Sequence, residues 1–335
     1  MFTAQNLEKY ADVLLWGLAT ARKTSLKKND IVLLQYDRAA LGLAEILYAR
    51  LMERGVHPVQ RMIATHDMEK SFYGKGGRTQ LEFIAPGEKE LLKNINGRIF
   101  IHAPESLTHL QDIDPAKIAR TMISRKSLRD ILNRREEQGF YSWTLCLFPT
   151  AELARQAKMS PRQYTAQIIK GCYLDAQNPV DEWKRIYREI TAIKKRLGAL
   201  AVKYYHIESE GTDLRITPGE RRKWAGVSGH NIPSFEVFVS PDWRGTEGVY
   251  YANLPSFRSG NYVEDVRLVF SKGKVVKVTA GKGEEFVKKQ PAMDAGASAL
   301  GEFSLTDKRF SRIDRFMAET LFDEIFGGRE GNCHV

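Results

Sequence analysis

Four short apolar runs lie between segments of helical periodicity in the first half of the chain, and they restrict the fold more than any other feature. The runs are Asp30 to Tyr36, His57 to Ala64, Arg98 to His102 and Ser142 to Phe148. Leu7, Tyr10, Ala11, Leu14, Leu15 and Leu18 recur at helical spacing before the first run, and Leu41, Ala44, Ile46, Leu47 and Leu51 recur after it, stopping at Gly55. Ser160-Pro161 supplies an N-cap and a first-turn proline for a later helix. Strands separated by helices predict a doubly wound, mostly parallel sheet.

The pattern changes near residue 200. A long helix over Val180 to Leu200 connects to a region of glycines and short alternating strands. Val266, Leu268 and Phe270 alternate with polar residues, Ser271-Lys-Gly-Lys274 turns the chain, and Val275, Val276 and Val278 return, which predicts a β-hairpin. A helix is expected at about 312–324. The reading is an α/β domain over 1–200 followed by an α+β domain with antiparallel strands over 201–335. A length of 335 residues fits two such domains.

Composition excludes several classes. Hydrophobic residues make up 43% and charged residues 27%, so neither disorder nor a collagen-like repeat is expected. No apolar run approaches the roughly 20 residues of a membrane span. The start, Met1 to Asn6, has no basic segment leading into an apolar one, so no secretory signal is expected. The three cysteines, Cys146, Cys172 and Cys333, are odd in number and far apart. They predict no disulfide framework and a reducing, cytoplasmic setting. The net charge of +10 raises the question of nucleic acid. Lys117, Arg120, Arg125, Lys126, Arg129, Arg134 and Arg135 concentrate it on one predicted basic helix, opposed by Asp130 alone. That stretch lacks interleaved aromatics and any nucleic-acid motif, so a solvated helix face is the expectation.

No dinucleotide fingerprint, P-loop or His-Glu-x-x-His helix is present. Gly74-Lys-Gly-Gly77 fits no phosphate motif and reads as a loop. The chemistry-bearing residues lie in the C-terminal half. Glu236 sits between Phe235 and Val237, sharing a strand face with Ser234 and Phe238. Glu302 lies in Ala299-Leu-Gly-Glu-Phe303, Glu324 ends Thr320-Leu-Phe-Asp-Glu324, and His334 closes Gly331-Asn-Cys-His334. A carboxylate among apolar neighbours needs a partner, and a divalent cation is one. Oxygen and imidazole donors suit zinc, cobalt or manganese. Taken singly, each residue reads as an edge-strand glutamate, a helix end or a chain terminus.

These segments, with Gly211-Thr-Asp-Leu-Arg215, Asn231-Ile-Pro-Ser-Phe-Glu-Val-Phe-Val-Ser-Pro241 and Gly327-Gly, resemble the aminopeptidase T, aminopeptidase S and PepS family of metallopeptidases. The likeness is strong over about 205–335 and compatible over 1–200. It implies a metal-dependent aminopeptidase that releases N-terminal amino acids from short peptides through a metal-activated water. It implies two divalent ions, zinc or cobalt first, with manganese or magnesium as alternatives. Carried over by position, Glu236, Glu302, Glu324 and His334 are metal ligands, and Glu302 is also the catalytic base. Glu330 fits less well and is read as solvent-facing. The family pattern continues past this histidine to a tyrosine and a His-x-Asp pair, so the resemblance implies ligands beyond Val335. It also implies a homodimer. No membrane or nucleic-acid partner is expected. The alternative functions are an inactive relative serving as an assembly subunit and a basic nucleic-acid-binding protein. His57, His66, His102, His109, His206, Asp213 and His230 are read as structural, Cys333 as packing, and Trp143, Trp183, Trp224 and Trp243 as core or interface.

Overall fold

The computed structural model describes residues 1–22, 25–258, 260–328 and 331–335. Two compact units emerge. One comprises Met1–Trp183 with Ser228–Pro233, and the other Lys184–Val227 with Ser234–Val335. The long helix Pro179–Gly198 begins in the first and ends in the second. Among the described residues, no helix is long and apolar enough to cross a membrane.

In the first unit, strands β1 (Ile31–Tyr36), β2 (His57–Met62), β3 (Gly97–His102) and β4 (Ser142–Leu147) are joined by β7 (Asn231–Ile232). They form one parallel sheet in the order β2-β1-β3-β4-β7. Alternate side chains of β1 serve its two faces. Leu33 packs with Leu92, Ile95 and Tyr141 beneath the helices Glu88–Asn94 and Lys126–Glu137. The opposite face carries Val32, beside Leu18 of the helix Ala4–Arg22. Burial on both faces explains why the central strand β1 reads as a continuous apolar run, whereas β2, at the sheet edge, has no fully buried residue.

The chain returns to this unit through a close backbone approach. A Cβ on Gly229 would lie 2.3 Å from the Gly17 carbonyl oxygen, and one on Gly17 would lie 2.8 Å from that of Gly229. Two glycines thus let residues 228–233 seat against the first helix before the chain enters the second unit at Ser234.

The expected single basic helix is two, Pro115–Ser124 and Lys126–Glu137, broken at Arg125. The break has a packing cause. Ile118 joins the Tyr73, Leu81 and Leu110 cluster, whereas Leu128, Ile131 and Leu132 join the Leu33 and Leu92 cluster. One straight helix does not serve both.

The second unit contains β5 (Tyr205–Ser209), β6 (Thr212–Thr217), β9 (Asp242–Ala252), β12 (Val266–Ser271) and β13 (Lys274–Thr279). These form an antiparallel sheet in the order β13-β12-β9-β6-β5. The β12–β13 hairpin turns at Lys272 and Gly273, both at positive φ, as a two-residue hairpin turn requires. A small ribbon pairs β10 (Ser256–Arg258) with β11 (Asn261–Val263). A third sheet orders β15 (Asn332–His334), β14 (Phe303–Thr306) and β8 (Glu236–Val239), all antiparallel. Leu214, Ile216 and Phe270 from the large sheet meet Val239 and Phe303 from the small one in a shared core. Each such buried side chain stabilises by about 1.5–3 kcal/mol, which fixes β8 and β14 in place.

The helix expected at 312–324 is reduced to one turn, Thr320–Asp323. The preceding residues follow an irregular path with Ala318 at positive φ. The buried Asp323 carboxylate accepts from the Met317 N–H at 2.7 Å and the Glu319 N–H at 2.9 Å. Those donors are thereby satisfied without a helical carbonyl, and Ile313 and Met317 are freed to point into the core.

Candidate metal centre

The three-stranded sheet brings together side chains that are far apart in sequence. Glu236 opens β8 and pairs with Thr306 of β14. Glu302 immediately precedes β14, and His334 on β15 pairs with Ser304. Alternation along β8 buries Val237 and Val239 and leaves Glu236 and Phe238 on the other face, as the pattern predicts. Gly226 makes room behind the first of these. A Cβ there would lie 2.1 Å from the Glu236 carbonyl oxygen, and its φ of +126 suits only glycine.

His334 Nε2 lies 3.3 Å from Glu302 Oε1 and 3.4 Å from Glu236 Oε2. One donor atom from each of the three residues falls within 4.8 Å of the others. The other ring nitrogen, Nδ1, is 3.0 Å from the Glu324 carbonyl oxygen. A carbonyl only accepts, so Nδ1 carries the proton and Nε2 is the nitrogen offered to the carboxylates. Ser304 donates its hydroxyl to Glu236 Oε2 at 2.9 Å. The Glu236 and His334 side chains are each 13% exposed, and Glu302 is 39% exposed.

The electrostatics are unbalanced. Burial pushes the Glu236 carboxyl above its ordinary value, His334 and Ser304 oppose that shift, and Glu302 adds to it. Burial would lower the His334 imidazole, yet the Glu302 hydrogen bond and the charges of Glu324, Glu236 and Glu302 hold it above its ordinary value. Burial likewise raises Glu324, with His334 and Arg258 opposing. Several carboxylates share one imidazole, so the cluster lacks positive charge. Two carboxylates and the imidazole nitrogen that faces them are a donor set that fits a divalent cation, which would bind with loss of any proton on Nε2.

The structure places the other candidates differently. Glu324 lies outside the group of three, and its carboxylate sits 3.4 Å from Arg258 Nη2. Its contribution here is the backbone carbonyl that orients His334. Glu330 lies outside the described residues. Cys333, between Asn332 and His334, turns toward the core cluster of the second unit, and burial pushes its thiol up to about 11. His206 pairs with Asp213 at 2.9 Å across β5 and β6. His230 is held by Ser228 at 2.6 Å and Glu136 at 2.9 Å beneath Trp143. Ser304 and Asn332 escaped the sequence reading as contributors in their own right. A small hydroxyl on the strand that follows Glu302, and an asparagine two residues before His334, were the available signals.

Beside the centre lies a cavity of about 1370 Å³, entirely within the second unit. His334, Glu324 and Asp323 line it, with Tyr250, Phe257 and Leu268 on its apolar walls.

Comparison with known proteins identifies the family and the fold. Aminopeptidase AmpS of Bacillus subtilis (strain 168) is 29% identical over 265 residues, covering 72% of this chain and 63% of the relative. Aminopeptidase T of Thermus aquaticus is 33% identical over 168 residues, 47% of this chain and 41% of the relative. The chain therefore matches less than two thirds of the length of these relatives. The solved structure titled wild-type AmpT from Thermus thermophilus superposes with a TM-score of 0.78 at 21% identity. That alignment covers 98% of this chain and 84% of the other, and it shows the shared fold. The pattern of the thermophilic metalloprotease family (M29) runs through residues 3–335, and the chain belongs to that family.

Proposed function

We propose that the protein is a metal-dependent aminopeptidase acting on short peptides with a free N-terminus, and that residues 201–335 act as its catalytic domain. The observation that carries this reading is the convergence of Glu236 on β8, His334 on β15 and Glu302, the residue before β14. Zinc or cobalt is the preferred ion for this oxygen and nitrogen set, with manganese or magnesium as alternatives. The family resemblance supports a second ion, and Glu324 at the cavity wall is the candidate for that neighbourhood.

When bound, a divalent cation supplies Lewis acidity to the scissile carbonyl and acidifies water. The chain's own residues do the rest. Glu236 and His334 are the more buried of the three and hold position. Glu302 is the most exposed, so it is assigned as the base that accepts the proton of the attacking water and returns it to the leaving amine. A carboxylate at the cavity wall receives the substrate's N-terminal ammonium, so a blocked N-terminus makes a poor substrate. Free cysteines at 146, 172 and 333 accord with a reducing, cytoplasmic setting. Resemblance alone supports a homodimer.

Several basic side chains of residues 117–135 are occupied internally, which weighs against the nucleic-acid reading. Lys117 donates to the Tyr73 and Gly74 carbonyls, Lys126 to Asp130, Arg129 to the Met122 carbonyl and Arg135 to the Ile95 carbonyl.

The test is release of leucine from an unblocked peptide by the full-length protein, stripped of metal and then resupplied with zinc or cobalt. Release that returns only with metal supports the reading. No release with either ion, from protein that binds the ion, favours an inactive relative.

A further inference from the structure

We propose that Asn332 and Ser304 are positioning residues of the centre, an inference that rests on the metal-binding role proposed above. His334 offers Nε2 to the carboxylates only while Nδ1–H keeps its acceptor, the Glu324 carbonyl. That carbonyl closes a single helical turn, which by itself is a weakly held element. Asn332 holds it. The Asn332 amide donates to the same Glu324 carbonyl at 2.7 Å and to the Asp323 carbonyl at 3.3 Å. Residues 332 and 334 are two apart on β15, so both side chains reach the turn from one face of the strand. A carbonyl oxygen has two lone pairs, and here one serves Asn332 and the other His334. Asp323 anchors the far side of the turn through the Met317 and Glu319 N–H groups.

Ser304 does the corresponding work for Glu236. It is fully buried, pairs across the sheet with His334, and donates to Glu236 Oε2. Glu302 lies two residues before it, so the hydroxyl sits on the strand between the other two donors. Without it, a largely buried carboxylate loses a fixed donor and gains freedom to turn away. Outer hydrogen-bond partners of this kind typically set metal affinity by about 10- to 100-fold.

The experiment is cobalt titration by calorimetry on the full protein and on Asn332→Ala, Asn332→Asp and Ser304→Ala. Each variant is expected to bind Co²⁺ about 10- to 100-fold more weakly than wild type. Asn332→Asp keeps the shape but cannot donate, so it should behave like Asn332→Ala. A second readout is the paramagnetically shifted imidazole N–H proton of cobalt-loaded protein, assigned by its loss in His334→Ala. Its exchange with water should quicken in both Asn332 variants, which a general loss of rigidity elsewhere would not produce. Unchanged affinity and unchanged N–H exchange in the Asn332 variants, beside weakened binding in His334→Ala, would overturn the assignment. Full cobalt affinity in both Glu236→Ala and His334→Ala would remove the metal reading and this inference with it. Should Ser304→Ala fail to fold, Ser304→Cys tests that residue in its place, and full cobalt affinity there would remove Ser304 from the assignment; the Asn332 variants, at a partly buried side chain, test the His334 contact independently.

Discussion

Two regions of the molecule place histidines beside carboxylates at strand ends, and they behave oppositely. At the carboxyl edge of the parallel sheet, Asp37 follows β1 and meets His102 at the end of β3, at 3.1 Å. Nearby, Glu69 meets His109 at 2.7 Å, and the His66 and His109 rings are 4.4 Å apart. In the second unit, Glu236 and Glu302 both face one nitrogen of His334. Each carboxylate of the first group has its own imidazole. Burial alone would raise Asp37, but hydrogen bonds from His102 and the Ala103 N–H hold its carboxyl below the ordinary value. In the second group, burial and the neighbouring Glu302 raise Glu236. The lesson is one of charge balance. A carboxylate with an imidazole of its own is a closed pair, whereas two carboxylates facing one imidazole nitrogen leave negative charge that a bound cation would offset.

The contrast breaks most sharply at Glu302. Glu302→Ala should lower peptide hydrolysis by about 10²- to 10⁴-fold, the range of a lost general base, with the circular dichroism spectrum unchanged. Activity above a few per cent of wild type would take Glu302 out of the mechanism. Next in size is the ligand effect. Glu236→Ala or His334→Ala should weaken zinc or cobalt binding by more than about 100-fold, beyond the usual effect of an outer partner. His102→Ala should leave calorimetric affinity and stoichiometry unchanged, and a lost equivalent of metal there would erase the contrast.

A third comparison uses metal removal. At a free ion concentration of 100 times its Kd, binding should stabilise the folded protein by about 2.7 kcal/mol. Hydrogen exchange should then slow in β8, β14 and β15 and stay constant in β1 to β3. Equal protection in both regions would contradict a centre confined to the small sheet. The smallest effect concerns Asp37. Its depressed carboxyl contributes stability that is present above the unfolded carboxylate range and lost as pH falls through the folded value. Asp37→Asn should cost about 1.5–3 kcal/mol at neutral pH, as loss of a charged hydrogen-bonded group does. Urea midpoints across the acid range should also flatten, without change in metal affinity. An unaltered acid limb would mean that Asp37 is not a matched structural pair.

Local pattern made much of this legible. β1 to β4 overlap the predicted runs, and β1 reads most clearly because both faces of a central parallel strand are covered. The β12–β13 hairpin followed from alternation and a Lys-Gly turn. Ser160 caps its helix through the Gln163 N–H as its sequence position suggests. The failures lie where a distant group supplied a backbone partner. Residues 312–319 carry apolar residues at helical spacing, but Asp323 captures two of their N–H groups and bends the path. Residues 117–135 look like one helix until two separate cores claim its ends.

The same division applies to the centre. Sequence by itself determined which residues carry donor atoms, that Glu236 shares a strand face with Phe238, and that the flanking segments resemble one family. Only tertiary structure decided that three of the four candidates converge while Glu324 turns its carboxylate toward Arg258. It also decided which nitrogen of His334 faces them, through a carbonyl ten residues away in sequence. The physical reason is range. Propensity and periodicity act over a few residues, whereas the pairing of β8 with β14 joins residues 68 apart, and no local pattern encodes that register.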